Sequence, residues 1–198
     1  MPRRPASVEL LAALAKVLRS RKIRWYVFGA QAAIAYGSPR MTMDVDVTVA
    51  VPTEGVRPLV EALLGKGFAS RATDLEAFFA RSRVVPLVHQ RTRMPLDLVV
   101  ARDSLEMAFL DRARPVDIGG LKVPMITVED LVIAKLFAGR PRDLEDVRAV
   151  LGTGAFPLVG HVPMMLQDML RTLREARDTV GPLFWARGLG SQWILLWT

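Results

Sequence analysis

Asp44 and Asp46 stand two apart in the alternating stretch Met43-Asp44-Val45-Asp46-Val47-Thr48-Val49. On a strand, residues i and i+2 point to the same side. The two carboxylates therefore share a face with Thr48, and the valines take the other face. Carboxylate oxygens placed together near a sheet end suit hard divalent cations. Two such ions about 3.5–4 Å apart clamp the attacking and leaving oxygens of a phosphoryl transfer. A third carboxylate would complete the cage, and Asp97 is the candidate, set in the apolar run Leu96-Asp97-Leu98-Val99-Val100. A charge in such a run is costly without a partner or a metal. The plain alternative is a solvated strand face, because an Asp-x-Asp pair alone is common. The strand-to-helix turn Gly29-Ala30, the linker Arg40-Met41-Thr42 and Asp97 weigh against it.

The elements that must position these residues are legible in outline. Residues 25–28 read as a strand ended by Gly29, and 30–36 as a short helix broken at Gly37-Ser38-Pro39. A glycine at that turn lets backbone approach a ligand, and the free N–H groups of the next helix suit a phosphate. Simple tight packing explains the same glycine. The alternating strand covers 43–51. Helices follow over 8–19, with Ser7 as N-cap, and over 56–64 and 75–83. Residues 84–90 and 96–101 form a hairpin, with Pro95 opening its second strand. Residues 104–112 read as a helix, and Gly119-Gly120 joins two further strands, 115–118 and 121–125. Thr127-Val128-Glu129-Asp130 resembles a capping box with Asp in place of Glu, opening a helix to 137. Helices at 143–151 and 163–180 complete the pattern, and 181–198 is rich in Trp and Leu and nearly uncharged.

The chain has 198 residues, with 51% hydrophobic and 24% charged side chains, enough for a real core. A net charge of +7, mostly arginine, favours an anionic partner such as a nucleoside triphosphate or RNA, although basic surfaces also serve solubility. The absence of cysteine excludes disulfides and thiolate chemistry, and two histidines, His89 and His161, make a multi-histidine zinc site a poor fit. Both histidines read as surface or internally satisfied groups rather than bases. No apolar run reaches the ~20 residues of a membrane span, so a cytoplasmic, non-membrane protein is expected.

The stretch Phe28-Gly29-Ala30-Gln31-Ala32-Ala33-Ile34-Ala35-Tyr36-Gly37-Ser38-Pro39-Arg40-Met41-Thr42-Met43-Asp44-Val45-Asp46 resembles the signature of bacterial minimal nucleotidyltransferases of the DNA polymerase beta-like superfamily. It is most similar to the AbiEii toxin-like group of type IV toxin–antitoxin systems. A later block, Val123-Pro124 through Thr127-Val128-Glu129-Asp130-Leu131-Val132 to Lys135, and then Arg140-Pro141-Arg142-Asp143-Leu144-Glu145-Asp146-Val147, resembles that group too.

The resemblance covers roughly 25–151 and implies an α+β fold: a polymerase beta-like palm, a mixed sheet backed by helices, with C-terminal helices. It implies a catalytic domain over 1–151 and a helical appendage with an apolar tail over 152–198. Asp44, Asp46 and Asp97 would bind two Mg²⁺, or Mn²⁺, with Asp97 also activating the acceptor hydroxyl. Gly29 and Ala30 would shape the triphosphate turn, and Lys135 would neutralise the triphosphate or leaving group. Arg40, Thr42 and Asp143 would lie on the nucleotide. The family turn usually reads Gly-Ser or Gly-Gly, so Ala30 removes a hydroxyl and leaves its N–H.

The bland roles remain beside these. Lys135 can be a snorkelling lysine. Arg40 can pair with a carboxylate. Asp143 and Asp146 can be charges favoured at a helix N-terminus. Trp193 and Trp197 read as packing residues. The expected activity is transfer of a nucleotide from an NTP to an acceptor hydroxyl. A tRNA or a protein is the acceptor implied by the toxin-like group, together with a cognate antitoxin. The alternatives are a non-catalytic nucleotide- or RNA-binding module, and a small-molecule transferase of the aminoglycoside type. The basic balance of the whole chain leans towards RNA over a cationic drug.

Overall fold

A computed structural model describes residues 4–101 and 104–154. The expected helix at 163–180, the tail at 181–198, His161, Trp193 and Trp197 lie outside the described residues.

The chain begins with α1 (Ala6–Ser20), whose Leu10, Leu11, Leu14 and Leu18 recur at helical spacing and are fully buried. Pro5, not Ser7, is its N-cap, because Glu9 N–H already bonds the Pro5 carbonyl at 3.1 Å and Ser7 falls inside the first turn. Strand β1 (Arg24–Phe28) runs into helix α2 (Gly29–Ala35). Strand β2 (Val45–Ala50) is shorter than the alternation suggested, and Asp44 sits just ahead of it. Helix α3 (Thr53–Leu64) starts three residues earlier than its apolar periodicity.

A three-residue strand, β3 (Phe68–Ser70), was not legible between the glycines and the next helix. It is too short for an alternation to register. Helix α4 (Leu75–Ser82) is capped by Asp74, which accepts from the Ala77 N–H at 2.9 Å. Strands β4 (Val84–His89) and β5 (Met94–Val100) form the expected hairpin. After α5 (Ser104–Arg112) come β6 (Arg114–Asp117) and β7 (Lys122–Met125), turned by Gly119 and Gly120, both with positive φ.

Helices α6 (Val128–Ala138) and α7 (Pro141–Gly152) close the described chain. Thr127 caps α6 by accepting from the Asp130 N–H at 3.2 Å. The second half of the expected capping box is replaced: both Asp130 oxygens accept from the Arg112 guanidinium, at 2.7 and 2.9 Å. Gly139, in the left-handed region, ends α6, and Pro141 opens α7 two residues before its expected start.

The sheet is mixed and seven-stranded, in the order β3-β4-β5-β2-β1-β7-β6. Strand β2 lies antiparallel to β1 and parallel to β5. Val45, Val47 and Val49, with Leu96 and Leu98, are buried in one core cluster together with leucines of α1 and α3. A smaller apolar cluster of Val128, Val132, Val147 and Val150 locks α6 to α7, and Tyr36 joins it from the end of α2. The Tyr36 hydroxyl donates to the Ile126 carbonyl at 2.7 Å, tying α2 to the start of α6. No described helix is long and apolar enough to cross a membrane.

Candidate active site

The parallel pairing of β2 and β5 sets Asp46 directly opposite Asp97. On its other side Asp46 pairs with Phe28, the last residue of β1. The chain therefore turns at Gly29 right beside the Asp46 carboxylate. Gly29 has φ +64°, and a Cβ there would lie 2.0 Å from Asp46 Oδ2. Only glycine meets both conditions. The Ala30 N–H donates to the same carboxylate, so Asp46 also satisfies a free donor at the start of α2.

Thr48, expected on the polar face with the aspartates, is buried. The solvated-strand reading of Asp46 thus fails, because that face is covered beyond it. Burial above all, then the charges of Asp44 and Asp97, push the Asp46 carboxyl up to about 8. Lys135 and the Ala30 N–H oppose this rise. Asp97 is also raised, first by burial; Arg71 pulls it down and Asp44 pushes it up. Asp44 accepts from the Thr42 hydroxyl, which gives Thr42 a place in the site through the carboxylate.

A cavity of about 1110 Å³ opens over these aspartates. Its wall runs from Ala30 through the 38–44 segment to α6 and α7, and includes Asp97. Six acidic and four basic side chains line it. Asp44, Asp46 and Asp97 thus face one space. Among the described residues, however, no three His, Cys, Asp or Glu side chains are gathered closely enough to hold a metal ion as a set.

The second half of the site is an ion cluster. Lys135 is almost wholly buried and donates to Asp143 Oδ1 at 3.1 Å and to Asp146 Oδ2 at 2.7 Å. It does not snorkel to solvent. Asp146 also accepts from the Ser38 hydroxyl at 2.8 Å and from Arg40 at 2.7 Å. Arg140 holds the other oxygen of Asp143 at 2.8 Å. Asp143 and Asp146 are therefore buried counter-ions rather than exposed charges at a helix start. Asp146, through Ser38 and Arg40, pins the segment that leads into Asp44 onto α6 and α7.

Sequence reasoning left Asp146 and Ser38 out of the site and missed Arg71 altogether. Asp146 was within reach, since it stands three after Asp143 on one helix face. Arg71 had no signal, because it follows the unread strand β3. Its guanidinium forms an ion pair with Asp97. His89 is an internally satisfied residue, buried, with Nδ1 2.9 Å from the Thr92 hydroxyl.

A mixed sheet with a glycine turn against a strand carboxylate, and a second carboxylate in register on the next strand, is the architecture of the polymerase beta-like nucleotidyltransferase palm. Residues 8–151 match the family described as nucleotidyltransferase of unknown function (DUF6036), and the chain belongs to that family.

Solved structures agree on the fold. The antibiotic-resistance factor ANT(2")-Ia, in complex with adenylyl-2"-tobramycin, superposes with TM-score 0.55 at 15% identity, over 89% of this chain and all of its own. An antigenic nucleotidyltransferase-like protein from Paracoccidioides brasiliensis gives 0.51 at 19% identity, over 87% of this chain and 89% of its own. The lincosamide antibiotic adenylyltransferase LnuA, lincomycin-bound, gives 0.50 at 13% identity, over 72% and 94%.

A 32-residue stretch is 56% identical to cytochrome P450 BJ-4 of Bradyrhizobium diazoefficiens, which is 16% of this chain. The match spans about 7% of the length of that protein, too little to carry a fold or an activity.

Proposed function

We propose that this protein transfers a nucleoside monophosphate from an NTP to an acceptor hydroxyl, with release of pyrophosphate. The observation that carries the reading is the register of Asp46 and Asp97 on adjacent strands, beside a turn at which only glycine fits.

The acids suit Mg²⁺. They offer hard oxygen donors, and burial first, then the charges of Asp44 and Asp97, raise Asp46 to about 8, as expected of acids held together without a cation. Asp44 and Asp46 would hold the cation, and Asp97 would join them. Bound there, Mg²⁺ supplies Lewis-acid stabilisation of the phosphate oxygens. Mn²⁺ satisfies the same donors.

The protein's own groups do the rest. Arg40 and Arg142 face the cavity and neutralise the triphosphate. Lys135 lowers the cost of charge on Asp46 from within the protein. Thr42 orients Asp44 through its hydroxyl, and Asp143 holds Lys135 and Arg140 at the nucleotide side. The backbone at Gly29 and Ala30 shapes the wall against the phosphates. Asp97, raised by burial, accepts the proton of the acceptor hydroxyl. The acceptor oxygen then forms a bond to the α-phosphorus as the bond to the pyrophosphate oxygen breaks. The transfer chemistry belongs to residues 1–151, with 152–198 as an appendage.

The resemblance to the AbiEii-like group supports a tRNA or protein acceptor and a cognate antitoxin. The net charge of +7 supports RNA. One observation favours a second reading, a small cationic hydroxyl compound: the cavity lining is richer in acids than in bases although the chain is basic. The antibiotic transferases among the structural neighbours are consistent with that acceptor size.

The test is transfer of label from each α-³²P-labelled NTP, with Mg²⁺, to total RNA, total protein and a panel of aminoglycosides and lincosamides. Label that moves to one class, and is lost in Asp44→Ala/Asp46→Ala, establishes the reaction and its acceptor. Well-folded protein that labels none of them, with any NTP, would sink the transferase reading in favour of a non-catalytic binding module.

A further inference from the structure

Arg71 follows the edge strand β3 and is fastened to β4 twice. Its own N–H donates to the Pro86 carbonyl at 2.9 Å, and its Nε donates to the Leu87 carbonyl at 2.9 Å. Pro86 is the β4 residue in register with Asp97, so the guanidinium reaches across β4 to the Asp97 carboxylate. Both partners stay partly open to solvent, with side-chain exposures of 37% and 24%. Among the described residues, Asp44 and Asp46 have no comparable clamp: Asp44 takes a neutral hydroxyl and Asp46 a backbone N–H. The three aspartates share one cavity yet are not gathered as a metal-holding set.

We propose that Arg71 is a positioning residue that occupies Asp97 as an internal cation and must release it before a divalent ion can use that carboxylate. The inference rests on the metal-dependent reading above. It follows from competition for one carboxylate: a fixed guanidinium charge beside Asp97 both repels an incoming cation and holds the oxygen that the cation needs. The anchors on Pro86 and Leu87 keep the charge nearby after release, so the exchange is reversible. The site therefore loads in two stages. Asp44 and Asp46 take the first ion, and Asp97 contributes only once Arg71 has moved aside. Meanwhile the ion pair with Arg71 holds the Asp97 carboxylate in place.

The experiment is Mn²⁺ binding to the full-length protein, followed by electron paramagnetic resonance, in wild type, Arg71→Gln and Arg71→Lys. Arg71→Gln is expected to bind Mn²⁺ about tenfold more tightly than wild type, a value reduced for partial solvent exposure. Arg71→Lys keeps the charge and is expected to stay within about threefold of wild type. Equal or weaker binding by Arg71→Gln overturns the proposal, as does an Arg71→Lys that matches Arg71→Gln. Wild type that binds no Mn²⁺ at all would instead overturn the metal-site reading beneath it. One measurement needs no folded glutamine variant: side-chain ¹⁵N NMR of wild type, with the Arg71 guanidinium assigned by Arg71→Lys. Those signals are expected to shift on adding Mg²⁺, and signals that stay put while Mn²⁺ binds refute the release step.

Discussion

The Asp46 carboxylate occupies the volume that a side chain at Gly29 would need: a Cβ at that position would fall 2.0 Å from Asp46 Oδ2. The turn and the acid are thus mutually dependent. Gly29→Ala faces left-handed strain of about 1–2 kcal/mol as well as this clash. Denaturant melts are expected to show a loss larger than the strain alone. Adding Asp46→Gly should recover the clash part and leave the strain. A double variant no more stable than Gly29→Ala would show that the close approach is not the cause.

Asp46→Asn replaces a carboxyl that burial first, and then the charges of Asp44 and Asp97, hold at about 8. The metal-free variant is expected to melt no lower than wild type. Transfer from NTP should fall by about a hundredfold or more, since the charge is needed only for the reaction. A large loss of stability with retained transfer would mean that Asp46 is a structural residue.

Lys135→Met leaves Asp143 and Asp146 buried with one fewer cation, although Arg140 and Arg40 remain on them. The expected cost is about 3 kcal/mol by urea unfolding. Restoring balance with Lys135→Met/Asp146→Asn should return part of it. The Ser38 and Arg40 contacts would weaken in that double variant, so its NTP affinity should drop even where stability recovers.

His89 supplies a pH dependence of stability. Burial first, and then Arg91, hold its imidazole below the ordinary value of 6.5, with Glu9 opposing. The unfolded chain therefore takes up a proton that the folded protein resists. Its contribution is fully present above 6.5 and is lost as pH falls through that value towards the lower folded pKa. Urea midpoints between about pH 7.5 and 5 should show this decline, and His89→Gln should flatten it. An unchanged slope in the variant would assign the decline to other groups.

Local rules carried much of this protein. The alternation around Val45, Val47 and Val49 sufficed for β2, and two adjacent glycines sufficed for the β6–β7 turn, because both depend on neighbours in the chain. The same locality made Asp44, Asp46 and Gly29 stand out as a possible site, and Thr127 as a cap.

What the tertiary structure alone decided was which residues meet. The β2–β5 register that sets Asp46 against Asp97 joins segments about fifty residues apart, and it is chosen by how the Val and Leu faces pack beneath the sheet. Strand β3, and with it Arg71, exists only because β4 offers it an edge. Lys135 reads as a lone lysine in an apolar helix until α7 folds back to bury two aspartates against it. Charge pairing of that kind has no period in the sequence, because the attraction that offsets the cost of removing water arises only between groups that the finished fold brings together.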